Sequence, residues 1–286
     1  MKSGFVALAG RPNVGKSTLV NALCGGKVAI TSDKPQTTRR RTTVVANGAD
    51  WQLVLVDLPG FQRPLDPLTE RMQRTVDHAF EDVDAVLFVL SARERIGGGD
   101  RFIARKVFDL GVPVVIALNK VDNLVPGHIA TQMQAASRLG DFHALHPVSA
   151  KTGDGIGELR EELVGLLPEG PAYFAPDQRT DLTVEAQVAE LVREKALQLT
   201  REELPHAISV DVDEVGDKVV RAVIYVETDS QKQIVVGRRG AIVKEVGVRA
   251  RPEIEQLLGH PVFLELQIKV RPKWRRDEQL LERLGI

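Results

Sequence analysis

The chain has 286 residues, room for two domains or one large one, and its 43% hydrophobic content is enough for true cores, so disorder is excluded as a default. A formal net charge of −1 excludes a global basic field, so any nucleic-acid surface has to be a local patch. The single cysteine, Cys24, excludes a disulfide framework within the chain and suits a reducing cytosol, with a small buried hydrophobe as its simplest role.

In chain order, residues 5–9 form an apolar run that reads as a strand, and 16–24 read as a helix. No signal-peptide pattern precedes them, and no apolar run is long enough to span a bilayer, so a cytoplasmic location is expected. Between strand and helix lies GRPNVGKS: Gly10, Arg11, Pro12, Asn13, Val14, Gly15, Lys16 and Ser17, followed by Thr18. It fits G-x-x-x-x-G-K-[ST], a loop whose backbone N–H groups cradle the phosphates of a nucleotide. The glycines let the backbone curl, and the helix that follows adds the positive end of its dipole. Lys16 is placed to reach the β- and γ-phosphates, and Ser17 to ligate Mg²⁺.

Residues 31–43, TSDKPQTTRRRTT, lack periodicity and contain Pro35, so a loop is expected. Strands at 43–46 and 52–56 flank Asn47-Gly48, a hairpin signal. The second strand ends in Asp57-Leu58-Pro59-Gly60. A helix is expected over 68–80, a buried strand over 84–90, and a helix from the Gly97-Gly98-Gly99 break to about 110. A strand at 113–118 runs into Asn119-Lys120-Val121-Asp122. A helix at 129–139, a strand at 143–148 ending in Ser149-Ala150-Lys151, and a helix at 156–167 complete this half.

Alternating strands and helices predict an α/β domain, a mostly parallel sheet with helices on both faces. In such sheets ligands bind beyond the carboxyl ends of the strands, and each unusual cluster falls at such an end. Asp57 is suited to hold the water shell of Mg²⁺, which keeps several waters and few protein ligands. Gly60 offers its N–H to a γ-phosphate. Asn119 suits a purine O6/N7 edge, Lys120 the flank of the base, and the N–H of Ala150 its O6. Asp122, acceptor-only when ionised, matches the two donors that guanine presents and adenine lacks. A site built on those donors should reject adenine by roughly 10⁴.

Residues 168–176 carry Pro168, Gly170, Pro171 and Pro176, a linker composition. This predicts domains at 1–168 and 181–286 with a linker at 169–180. The second begins with an amphipathic helix at 183–199, its apolar face on Val184, Val188, Leu191 and Val192. Strands at 207–212 and 218–226 follow, then a short helix, Gly237-Arg238-Arg239-Gly240, a helix to about 258 and a strand at 262–270. Two basic runs flank the G-x-x-G. One holds Lys232, Arg238, Arg239, Lys244, Arg249 and Arg251; the other, 269–276, includes Lys269, Arg271 and Lys273 around Trp274. A solvated face and tail packing of Trp274 are the plain alternatives. Single-stranded RNA contact, with Trp274 stacking on a base, is the reading favoured here.

The motifs GRPNVGKS, QTTRR, DLPG, NKVD and SAK resemble the guanine-nucleotide motifs of translation-factor-related GTPases, over about residues 1–168. Leu58 departs from that family, where Thr is more common. The resemblance implies a P-loop GTPase that cycles between GTP and GDP with Mg²⁺. Lys16, Asn13, Thr38 and Gly60 then belong to the catalytic set, and Ser17, Thr38 and, through water, Asp57 to the metal site. Thr37 remains an alternative to Thr38. Many GTPases place Gln after DxxG to orient water. Here it is Phe61, so slow intrinsic hydrolysis is expected. Asn13 resembles the potassium-binding Asn of related GTPases, which implies K⁺ stimulation; capping of the loop is the alternative. Arg39, Arg40 and Arg41 read as a solvated basic loop rather than as arginine fingers.

The second half, a smaller α+β unit with its G-x-x-G between two helices, resembles a type 2 KH domain. That implies RNA held by Gly237, Arg238, Arg239 and Gly240, with Ile234, Val235, Ile242 and Val243 lining a groove for bases. GTPase followed by KH domain resembles a family of bacterial GTPases of small-subunit assembly. This implies binding of the 16S ribosomal RNA 3′ end and the 30S subunit by a monomer, in the cytoplasm and loosely at the inner membrane. A P-loop phosphotransferase using ATP and a protein-docking C-terminal domain are the rivals. Asp122 argues against the first and the basic runs against the second.

Overall fold

The apolar run before the phosphate loop forms β1 (Lys2–Ala9), and the computed structural model places it inside a six-stranded sheet. The structure describes residues 1–32, 34, 36–61, 64–200 and 204–286, the backbone alone at 205 and 206. Pro35, which supports the loop expectation for 31–43, lies outside the described residues.

By their contacts the described residues fall into two units. The first comprises Met1–Ala29, Thr38–Pro64 and Met72–Asp181; the second comprises Ile30–Thr37, Leu65–Arg71 and Leu182–Ile286. Among the described residues no helix is long and apolar enough to cross a membrane.

In the first unit β1 leads to α1 (Lys16–Leu23), and no helix or strand is described between α1 and β2 (Thr42–Asn47). β2 pairs antiparallel with β3 (Trp51–Asp57). Then come α2 (Pro67–His78), whose residues 67–71 group with the second unit, β4 (Ala85–Ser91), α3 (Gly98–Phe108), β5 (Val114–Asn119), α4 (Pro126–Ala136), β6 (Ala144–Pro147) and α5 (Ile156–Leu166). The order across the sheet is β2-β3-β1-β4-β5-β6, parallel except at the β2 edge. Strands covered on both faces need apolar residues at every position. β4, AVLFVLS, is buried throughout, and alternate residues of β1 enter two separate cores, Val6 and Leu8 in one, Ala7 and Ala9 in the other. Each such Val or Leu contributes about 1.5–3 kcal/mol on removal from water.

Residues 169–180, expected as a linker, are bonded to this unit. The Gly170 N–H donates to Met1 O at 2.9 Å, and the buried Gln52 amide accepts from the Tyr173 and Phe174 N–H groups at 2.7 and 3.0 Å.

The second unit contains α6 (Val184–Leu199), α7 (Leu204–Ala207), β7 (Ser209–Val215), β8 (Val219–Val226), α8 (Asp229–Val236), α9 (Ala241–Leu258), β9 (Phe263–Val270) and α10 (Glu278–Arg283). β8 is the central strand, antiparallel to β7 and parallel to β9. Thr183 caps α6 by accepting from the Ala186 N–H. Val184 is 41% exposed, a correction to the expected apolar face at that one position; the helix packs on Val188, Ala189, Val192 and Ala196, with Leu191 against them. Short helices at 204–207 and 278–283 and a 3₁₀ turn at 274–276 were not foreseen in the pattern.

Candidate nucleotide site and nucleic-acid interface

In the first unit the loop 10–15 bends where its sequence permits. Gly15 has φ +99°, and a Cβ there would lie 2.4 Å from Asn119 Nδ2, so only glycine lets the β5 end approach. Asn13, at φ +64°, takes the left-handed conformation that Asn tolerates. Val14 is buried and its carbonyl accepts from Asn119 Nδ2 at 3.0 Å. The Lys16 ammonium donates to the carbonyls of Gly10 and Arg11, both at 3.2 Å. Burial lowers its pKa to about 8, with Asp57 opposing. The Arg11 side chain turns to Asp100 and Glu94, at 2.8 Å each, which leaves this residue's backbone to the loop. Pro12 and Thr18 are partly exposed beside it.

Three side-chain oxygens converge next to the loop. Ser17 Oγ lies 3.0 Å from Thr38 Oγ1 and 2.7 Å from Asp57 Oδ2, and Thr38 Oγ1 is 3.2 Å from the same Oδ2. Asp57 Oδ1 is buried with no hydrogen-bond partner among the described residues. Burial raises the Asp57 pKa, against Lys16, Ser17 and Thr38. Hard oxygens with an unsatisfied carboxylate oxygen suit Mg²⁺ and its waters. Thr37 points elsewhere, its hydroxyl donating to Lys34 O at 2.7 Å. Leu58 and Pro59 are buried, and Gly60 is partly exposed. Phe61 packs its ring on Phe80 at 5.9 Å, and its N–H donates to Gly10 O at 3.3 Å. Arg39 is buried, which corrects the expectation of a solvated loop at that residue; Arg41 is exposed.

At the other end of the sheet edge, Asn119 Oδ1 accepts from the Ala150 N–H at 3.0 Å, so each end of its amide is committed. The Lys120 ammonium donates to Asn13 O, tying this loop to the phosphate loop. Asp122 Oδ1 accepts from the buried Ser149 hydroxyl at 3.1 Å, and Asp122 Oδ2 from Arg93 Nη2 at 2.6 Å. Lys151 is exposed. Arg93 escaped sequence reasoning, since an arginine two residues past a strand carries no spacing signature.

In the second unit, Gly237 (φ +72°) and Gly240 (φ +78°) bracket the turn between α8 and α9, with Arg239 itself left-handed at φ +53°. Arg238, Arg239, Lys244, Lys269 and Lys273 are exposed, and Ile234 is 47% exposed. Arg271 pairs with Asp277 at 2.6 Å. Val235 is a core residue, not a groove residue. Trp274 requires a correction. Its ring is fully buried and its indole N–H donates to Ala207 O at 2.8 Å, so both faces are packed and none is open to a base.

A family model described as "50S ribosome-binding GTPase" matches residues 5–120, and one described as "KH domain" matches 203–275. GTPase Era of Thermotoga maritima is 43% identical over 295 residues, spanning 100% of this chain and 98% of that protein. GTPase Era of Lactobacillus helveticus is 45% identical over 289 residues, 99% of this chain and 96% of the relative. The crystal structure of Era in complex with MgGDPNP and nucleotides 1506–1542 of 16S ribosomal RNA superposes with a TM-score of 0.96 at 38% identity, covering 100% of this chain and 99% of that one. A variant of Aquifex aeolicus Era bound to GDP·AlF₄⁻ gives 0.95 at 38% identity, with the same coverage.

Proposed function

This chain belongs to the Era family of GTPases, and from that premise we propose that it is a nucleotide-governed grip on the 3′ end of 16S ribosomal RNA during maturation of the 30S subunit. Residues 1–168 would bind and hydrolyse GTP, and 181–286 would hold the RNA as a KH domain. The single observation that carries the nucleotide reading is the gathering of the phosphate loop, Asp57, Asn119–Asp122 and Ser149–Ala150 at one edge of one sheet.

The geometry supports a role for each residue. The N–H groups of 10–18 and the Lys16 ammonium would neutralise the phosphates. Ser17, Thr38 and Asp57 would hold Mg²⁺, which supplies positive charge where the β- and γ-phosphate oxygens gather. Thr38 is the better switch residue, because its hydroxyl meets Ser17 and Asp57 while that of Thr37 does not. The N–H of Gly60 would meet the γ-phosphate. With Phe61 apolar, the residue directly after DLPG has no group to orient water, which supports slow intrinsic turnover and a role for K⁺ held at Asn13. Replacing K⁺ by Na⁺ should lower kcat, and Asn13→Ala should abolish the difference; equal rates in both salts would remove potassium from the account.

RNA would be bound by Gly237, Arg238, Arg239 and Gly240, by Ile234 and Lys244, and by Lys269, Arg271 and Lys273. The test is the affinity for a single-stranded oligonucleotide of the 16S 3′ end, measured with GDPNP and with GDP. Tighter binding in one state is expected; equal affinity in both would reject the switch, and no binding at all would favour protein docking by the C-terminal unit.

A further inference from the structure

Asp122 is approached from both sides. Ser149 Oγ reaches Oδ1 at 3.1 Å, and Arg93 Nη2 reaches Oδ2 at 2.6 Å and the Asp122 carbonyl at 3.3 Å. An ionised carboxylate has about four acceptor positions, two on each oxygen. The two protein donors take one on each, leaving one on each for a ligand. Without them, rotation of a carboxylate about its Cβ–Cγ bond is loosely restrained. Anchored at both oxygens, the group has a fixed plane.

Arg93 is itself held in place. It stands in the turn between β4 and α3, where the preceding Ala92 N–H donates to Asn119 O at 2.8 Å and the Ala92 carbonyl lies 3.0 Å from His128 Nε2. The following residue, Glu94, pairs with Arg11 of the phosphate loop at 2.8 Å. Two consecutive residues outside every nucleotide motif thus join the base end of the site to its phosphate end. The Asp122 side chain is only 7% exposed, so its charge benefits from the half-exposed guanidinium beside it.

We propose that Arg93 is a positioning residue for Asp122 and sets the preference for guanine over hypoxanthine. The inference rests on Asp122 as the reader of the base. Guanine offers two donors, N1–H and the exocyclic amine, and hypoxanthine offers N1–H alone. Meeting both donors at once requires the carboxylate in one plane; meeting one donor does not. Releasing Arg93 frees that plane, and its re-ordering on binding weakens the two-donor ligand more than the one-donor ligand. A lysine restores charge but not the planar fork.

The test is a competition of GDP against IDP on the full chain, with ADP as a third ligand, for wild type, Arg93→Ala and Arg93→Lys. Arg93→Ala should lower the GDP/IDP affinity ratio by about 3- to 10-fold, the cost of ordering one side chain, and Arg93→Lys should recover part of it. A purely structural loss lowers both affinities by the same factor and keeps the ratio. A ratio unchanged or raised in Arg93→Ala overturns the inference. If the alanine variant fails to fold, Arg93→Gln carries the same comparison. A wild type that binds GDP and ADP alike removes the Asp122 reading first, and this inference with it.

Discussion

Lys16 carries a pH dependence that can be followed through both folding and binding. Burial pulls its pKa down to about 8, so the unfolded chain binds more protons than the folded one between about pH 8 and the ordinary lysine value. Across that window this residue's contribution to stability therefore rises with pH. Binding runs the opposite way. Phosphates favour the ammonium, so above pH 8 the free protein must take up a proton to bind GDP. Calorimetry without Mg²⁺, in buffers of different ionisation enthalpy, should show proton uptake at pH 9 and little at pH 6.5, with GDP affinity falling between them. Lys16→Met should abolish the uptake. At the base end, Asp122→Asn replaces an acceptor by a group that also donates, and should cost about 1.5–3 kcal/mol of GDP affinity, measurable by displacement of a fluorescent GDP. These residues are legible in sequence because phosphate and guanine chemistry tie residue type to spacing. Thr38 against Thr37 is not, since one step along an irregular loop turns the hydroxyl elsewhere. Nor is Arg93, whose partner is close only in the folded chain.

Among the elements, the turn between α8 and α9 makes a graded prediction. A Cβ at Gly237 would lie 2.6 Å from Ile242 Cγ1 and 2.9 Å from Ile242 N, whereas Gly240 meets nothing within 4 Å. Gly240→Ala should therefore cost only the left-handed penalty of about 1–2 kcal/mol, and Gly237→Ala clearly more, as read from denaturant midpoints. The buried strands were legible from uninterrupted apolar runs, and α8–turn–α9 from its glycines. The boundary of α6 was legible, and so was its packed face at Val188, Leu191 and Val192, but not the burial of the charged residues that follow. Arg193, Glu194 and Lys195 are all buried, and a run of three charged residues reads as solvent-facing. The tail failed for a related reason. Its basic run suggested RNA contact with Trp274 stacking on a base, yet Arg275 pairs with Asp66 at 2.7 Å and Trp274 is packed inside.

For the whole molecule, the proposed RNA surface is a local basic field on a chain of net charge −1, so the expected binding should be strongly salt-dependent. Removing Arg238 or Arg239 should each flatten the slope of log affinity against log salt by about 0.7, in filter binding across a range of KCl. Two domains were legible from the composition shift near Pro168, but the division is not a single cut. Residues 30–37 and 65–71 group with the C-terminal unit. The Thr31 N–H donates to Glu194 Oε1 at 2.9 Å, the Thr37 carbonyl accepts from Arg193, and Arg71 donates to Ile286 O at 2.8 Å. Such excursions leave no mark in local pattern, because they depend on partners more than a hundred residues away.

The interleaving bears on dissection of the protein. A fragment ending at Asp181 would keep every side chain named for the nucleotide yet strip the stretch leading into Thr38, and the first turn of α2, of their anchoring groups. Recombinant N-terminal halves should accordingly be nicked by trypsin in those two stretches far sooner than the intact chain, and their enzymology would describe an unmoored enzyme rather than one merely lacking its C-terminal half.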